Sequence, residues 1–381
     1  MSNRRTFIAT MAALAGVPIA QLAAARSQRT GTARLAASWS AGACPYVGQL
    51  SWSGASDAGS VLAIATQIEL PTRAHGLLQE RGGSFLSVAR RPGDWLLRWD
   101  GTGRALAWQW SEPQRVFNGH VLASPDGRRL FTTETDLDSG MGLVGVRDAR
   151  SLEKLGEWPT HGIDPHQLLW AAAPDGSGGL MVANGGVTLH AETGRAKHHL
   201  DRMDSSLVSL DAGTGQLRGQ WRLADPRLGL RHIAWLTSAH GGAATRVLGV
   251  ALQAEHDAPE AHAAAPVLAT FDGGMLRAAS APQTLAGYGG DIVALAGGFA
   301  VSCPRANGVA LFAADGAWRG FKALPEACAL SASSANLVWA GGRQAMTLHT
   351  GDSAAGVFDA DGLRGDLPAM RLDNHWIALP A

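Results

Sequence analysis

The sequence is short of charge. Only 17% of its 381 residues are Asp, Glu, Lys or Arg, and 32 basic residues balance 32 acidic ones. It has no basic stripe of the kind that neutralises phosphates and no polybasic segment, which argues against nucleic acid or an anionic membrane surface as partner. Cysteine is scarce too, limited to Cys44, Cys303 and Cys328. None of them forms Cys-x-x-Cys or Cys-x-x-Cys-His, so a thioredoxin motif and covalent haem attachment are absent. An oxidising compartment would permit Cys303 to pair with Cys328. There is no Gly-x-Ser-x-Gly elbow, phosphate-cradling Gly-Lys loop, His-Glu-x-x-His or dinucleotide fingerprint, and so nothing specifies a nucleophile. Beyond the N-terminus no stretch is apolar and long enough to span a bilayer. The alanines never sustain a 3.6-residue apolar stripe, which leaves little room for helix.

Against these absences stand 48 glycines, 13 tryptophans and a pattern that keeps returning. At residues 118–134, His120 leads a short apolar strand, Pro125-Asp126-Gly127 makes a turn, and a second strand runs to Glu134. The same design places His75 before Gly82-Gly83 and Arg90. It places His166 before Pro174-Asp175-Gly176 and Asn184, and His232 before Gly241-Gly242 and Gln253. The steps between His75, His120 and His166 are about 45 residues, the period of four-stranded propeller blades. The step to His232 is longer, and its extra length holds a polar stretch over Thr188–Ser206 that reads as an insertion. Two weaker copies begin at Gly290-Asp291 and Ala327-Cys328, with Asp or Cys where the others carry His.

The N-terminal strands 34–40, 45–52 and 61–70 lack a complete partner, and the C-terminal run from Asn374-His375 can supply it. A radial array needs such closure, because its edge strands otherwise stay unpaired. The expectation is therefore an all-β, seven-bladed β-propeller with both termini closing one blade, similar in rhythm to WD40 repeats. Residues 26–381 form that single domain, with tryptophans wedged between blades.

Residues 1–25 read as a twin-arginine signal peptide. Arg4-Arg5 with Phe7 precedes an apolar stretch over Ala9–Leu22 and the small residues Ala23-Ala24-Ala25. The mature chain is then expected in the periplasm, with no membrane span once the signal is removed.

If equivalent blade positions converge at one channel mouth, His75, His120, His166 and His232 form a funnel of imidazoles suited to a transition metal, iron or copper among them. The competing reading is architectural: a histidine at a blade start that bonds a neighbouring turn, as Gly119-His120 suggests. Further polar residues at strand ends or on nearby loops are candidates for lining a channel or binding a ligand: Arg73, Arg90, Glu134, His161, Asn184, Arg231, Gln253, Arg305 and Asn307. Among them Arg73, Arg90, Arg231 and Arg305 together suit a carboxylate or phosphate. Inter-blade salt bridges are the plainer use of the same residues.

Several runs resemble one uncharacterised family. They are Gly-His…Ser-Pro-Asp-Gly…Thr-Glu-Thr-Asp at 119–136, His-Gly-Ile-Asp-Pro-His at 161–166 and Val-Ala-Asn-Gly-Gly-Val at 182–187. Leu-Asp-Arg-Met-Asp-Ser-Ser-Leu at 200–207 and Leu-Arg-His-Ile-Ala at 230–234 complete the set. The family is a domain-of-unknown-function group of exported proteobacterial propellers, whose genes lie near imelysin-like and di-haem-peroxidase-like proteins of periplasmic iron uptake. The chain departs from its pattern at Gln167, where the family carries an acidic residue, and over Ser302–Asn307. The resemblance implies fold and compartment, with iron-uptake proteins as partners, but no chemistry. Three functions follow as expectations: a non-catalytic metal or chelate binder, a protein-interaction scaffold with structural histidines, or a hydrolase or lyase on a small periplasmic substrate.

Overall fold

The computed structural model describes residues 32–55, 59–172, 178–188, 199–240, 243–334, 337–342, 346–350, 358–360 and 370–379. The expected signal segment and most of the expected insertion, with His190, Arg195 and His198, lie outside the described residues.

Among the described residues the strands make seven four-stranded antiparallel sheets, each a simple meander. We label only the innermost strand of each: β1 (Ala74–Gln79), β2 (Arg115–Ala123), β3 (Pro165–Ala172), β4 (Leu228–His240), β5 (Ile292–Leu295), β6 (Ala329–Ser334) and β7 (Met370–Leu379). Each is neighbour to the next, and β7 to β1, so the seven close on one another around a central channel. This is an all-β propeller. In six sheets the four strands follow chain order. In the remaining one β7 pairs with Thr32–Ala41, so the C-terminal strand completes a sheet begun by the N-terminal strands.

Burial follows the radius. The second and third strands of a sheet are nearly continuous apolar runs, as in Phe85–Ala89 and Trp95–Trp99. They are covered on both faces by neighbouring sheets, so both sides of the pleat are apolar. The outermost strands alternate instead, as Ala105–Trp110 does. Trp39, Trp95 and Trp99 fill wedges between sheets with 0–1% of their surface exposed. Their burial removes large apolar areas from water, and the indole of Trp99 donates to Ser87 Oγ at 2.9 Å. Trp108 and Trp110 are correctives to a uniform wedge role, because they lie on an outermost strand at 36% and 51% exposure.

The thiols of Cys303 and Cys328 form no disulfide. Cys303 is fully buried in an apolar cluster and its Sγ lies 3.6 Å from the Val301 carbonyl. Burial pushes its thiol up to about 12.

Candidate functional site

The innermost strands carry irregularities at one level. The pairing register of β1 shifts between Ala74 and Leu77, of β2 between Phe117 and Val121, of β3 between Pro165 and Leu168, and of β4 between Leu230 and Ile233. In β7 it shifts between Leu372 and Trp376. Each interval contains a histidine: His75, His120, His166, His232 and His375. A bulge re-aims a side chain that a regular pleat would turn into the neighbouring sheet. Repeated in five strands, it points five imidazoles into the channel. Glycine makes room for them. Gly119 holds φ at +102°, and a Cβ there would lie 2.6 Å from the His75 ring.

The five rings are buried, at 2–9% exposure, and nine of their ten pairs, all but His166–His375, have centroids 4.4–5.7 Å apart. His166 Nε2 lies 3.3 Å from His75 Nε2 and 2.9 Å from His232 Nε2. One ring nitrogen from each of His75, His120, His232 and His375 falls within 4.8 Å of the other three. Nitrogens bound at ~2.0–2.1 Å to a common metal would sit about 2.9 Å apart at right angles, about 3.4 Å at the tetrahedral angle and about 4.1 Å when opposite. The outer separation of 4.8 Å exceeds each of these spacings, so the rings would close in on a shared ion.

Electrostatics keep these rings in the form a metal requires. Burial first, then the mutual proximity of the imidazoles and of Arg90 and Arg231, hold His75, His120, His166 and His232 well below the ordinary imidazole value. All four are therefore neutral at pH 7. His75 Nδ1, His120 Nε2, His166 Nδ1 and His375 Nε2 have no hydrogen-bond partner, an arrangement that costs free energy unless a ligand takes up the lone pairs. His375 Nδ1 is 3.2 Å from Asp291 Oδ2. That carboxylate also accepts from the backbone N–H groups of Ile292 and Leu330, so it is firmly placed. A carboxylate fixing one nitrogen of an imidazole while the other faces a common centre is the usual outer partner of a metal-binding histidine.

His75, His166 and His232 form the floor of a cavity of about 240 Å³. Arg90, Arg91, Arg231, Arg305, Tyr288 and Asn374 contribute to its walls. Asp164 anchors two of the guanidiniums, pairing with Arg91 and, at 3.1 Å, with Arg231. Asp373 holds Arg73 at 2.6 Å and reaches Arg90 at 3.5 Å. Arg305 lies over the Tyr288 ring, 4.8 Å from its centroid, and donates to His262 Nε2 at 3.1 Å.

The structure thus gathers the four histidines expected from the repeat and adds His375. It sets Arg90, Arg231, Gln253 and Arg305 on the cavity wall. The other expected channel residues are elsewhere. Glu134 is completely buried within its sheet, where Arg147 Nη2 at 2.9 Å and Lys154 Nζ at 2.8 Å satisfy it. Asn184 donates to the Thr160 carbonyl and to Ser206 Oγ, holding a loop. His161 is exposed on a turn at φ 53°, which separates it from buried His166. Asn307 occupies a left-handed turn and accepts the Glu326 N–H. Arg73 is half-exposed outside the wall, paired with Asp373. Sequence reasoning missed His375, Asp291, Arg91 and Asp164 as site residues. His375 did carry the signal, a histidine heading an apolar strand. The strand that follows a histidine in the other copies is supplied here by Thr32–Ala41, far away in sequence.

The chain belongs to the family described as protein of unknown function DUF1513, which matches residues 68–379. No curated protein matches it. Sqt1 of Saccharomyces cerevisiae is similar in structure, with 13% identity and a TM-score of 0.53 over 89% of this chain and 93% of that one. The Dos1 propeller is 10% identical, with a TM-score of 0.53 over 89% and 87% of the respective chains. Virginiamycin B lyase from Staphylococcus aureus is 11% identical, with a TM-score of 0.51 over 75% and 83%. At these identities the likeness is one of fold, which does not carry function.

Proposed function

We propose that this chain is a non-catalytic binding protein for a transition-metal ion, held at the channel by His75, His120, His166, His232 and His375. The observation that carries the reading is a cluster of five buried imidazoles in which His75, His120, His232 and His375 each bring a nitrogen within 4.8 Å of one another, with ring nitrogens left without hydrogen-bond partners. An architectural role would instead bond those nitrogens to backbone turns. A donor set of neutral imidazoles alone suits iron, copper, nickel or zinc, and excludes calcium and magnesium, which require oxygen ligands. Asp291 orients His375 for the purpose. With the twin-arginine-like N-terminus, the reading is completed by export to the periplasm and a role in acquiring iron or another metal beside imelysin-like or di-haem-peroxidase-like partners.

The test is elemental analysis of protein exported through its own N-terminus and purified without chelator or affinity tag, followed by titration with Fe²⁺, Cu²⁺, Ni²⁺ and Zn²⁺. Near-stoichiometric metal is expected, and its loss in His120→Ala and His375→Ala proteins that keep their circular dichroism. A folded wild-type protein that contains no metal and takes up none of the four ions overturns the proposal.

A further inference from the structure

The cavity wall and its floor make opposite demands on a bare cation. Arg90, Arg91, Arg231 and Arg305 face the space directly above the histidines. Among the described residues the carboxylates set against these four guanidiniums belong to Asp164, Asp373 and Glu255, and Asp373 is shared with Arg73 outside the wall. Positive charge remains in excess. Coulomb repulsion from these guanidiniums acts about twice as strongly on a divalent ion as on a singly charged one. Such a mouth weakens the binding of a bare divalent ion unless a negative charge offsets it.

An anion reverses that balance. We propose that the cavity is a binding site for a small oxyanion carrying at least two negative charges, a polycarboxylate or a phosphate, which accompanies the metal and caps it from the arginine side. The contact with the metal rests on the reading given above, whereas binding of the anion alone does not. Planar guanidinium forks match the paired oxygens of carboxylate and phosphate and bind them bidentately. Two of these arginines, Arg91 and Arg231, are themselves 9% exposed and fixed by Asp164, so the donors are positioned before the ligand arrives. A cavity of about 240 Å³ accommodates a ligand of citrate or phosphate size and excludes large ones. Asn374 and Gln253, also on the wall, supply neutral polar groups.

Isothermal titration of metal-free protein with citrate, inorganic phosphate and the uncharged control glycerol, at low and at 0.5 M salt, tests the site. One-site binding of citrate or phosphate is expected, weakened by salt, absent for glycerol, and weakened at least about tenfold in Arg90→Gln and in Arg305→Gln. Arg305 is exposed, so its variant keeps the fold even where the Arg90 variant does not. His120→Ala should retain anion binding. In Co²⁺-loaded protein, adding the anion should shift the visible ligand-field bands of wild type and not of Arg305→Gln. Failure of both anions to bind, or unchanged affinity in both arginine variants, overturns the proposal whatever the metal result. A protein that binds anion but refuses every metal leaves the anion site standing and removes the metal reading.

Discussion

Asp291 illustrates how much a single residue can decide at this site. Its carboxylate accepts two backbone N–H groups and faces His375 Nδ1. Asparagine would keep the volume and one oxygen but lose the charge that fixes the imidazole tautomer. Outer partners of this kind are worth about 10–100-fold in metal affinity. Asp291→Asn should therefore weaken metal binding within that range while melting within a few degrees of wild type. A titration showing unchanged affinity would reduce Asp291 to a strand-end cap. His375 was hidden at this scale because its partner strand, Thr32–Ala41, lies far away in sequence, and Glu134 was misleading for the opposite reason. Its place after a strand matched that of Arg90 and Gln253, yet a glutamate that meets Arg147 and Lys154 has no cause to face a channel.

At the scale of an element, the sheet containing β2 is stitched by that same network. Arg147 is fully buried and reaches Glu134 and Glu112 at 2.9 Å each, while Lys154 joins Glu134 and Glu157. Replacing one member strands its partner's charge in a place without water, which costs about 3–5 kcal/mol. Arg147→Met should lower stability by that amount in chemical unfolding. Metal binding should stay intact in the folded fraction, because the network lies in the sheet and not in the channel. A metal affinity that fell with Arg147→Met would show that the sheet's internal ion pairs do position the histidines. The bulges of the inner strands belong to this scale as well. They are what turns a histidine from a pleat face into a channel, and no residue pattern within a single strand states where a register will slip.

For the molecule as a whole, the histidines connect folding to pH. His75, His120, His166 and His232 come from four different sheets, and all are held below the ordinary imidazole value by burial and by one another. The unfolded chain protonates them near pH 6.5, whereas the folded, metal-free chain does not. Below that pH the unfolded state binds more protons, so stability present above about 6.5 is lost as the pH falls. The loss is up to roughly 1.4 kcal/mol per ring per pH unit. Urea midpoints of metal-free protein should drop steeply between pH 7.5 and 5.0, and less steeply in His120→Leu. A flat midpoint across that interval would mean that the rings are not held neutral. Bound metal should raise the midpoints without flattening the curve, since the coordinated nitrogens stay unprotonated while the unfolded chain still takes up protons.

What the sequence determined by itself was periodic and local. Strand–turn–strand units with glycine turns, the absence of a helical stripe and a C-terminal run lacking a partner were enough for an all-β propeller whose last strand completes the first sheet. Blade period and turn chemistry are properties of neighbouring residues, so they can be read from a linear chain. Four of the five histidines were legible for the same reason, since each opens a repeat. Tertiary structure alone decided the rest. Closing the ring brought His375 beside His75, some 300 residues away in sequence. Buried charge found its partners across sheets, which took Glu134 and Asn184 away from the channel and left the arginines around it. Solvent exclusion at the axis made His75, His120, His166 and His232 neutral. These are consequences of distance and dielectric, and neither exists until the chain has folded.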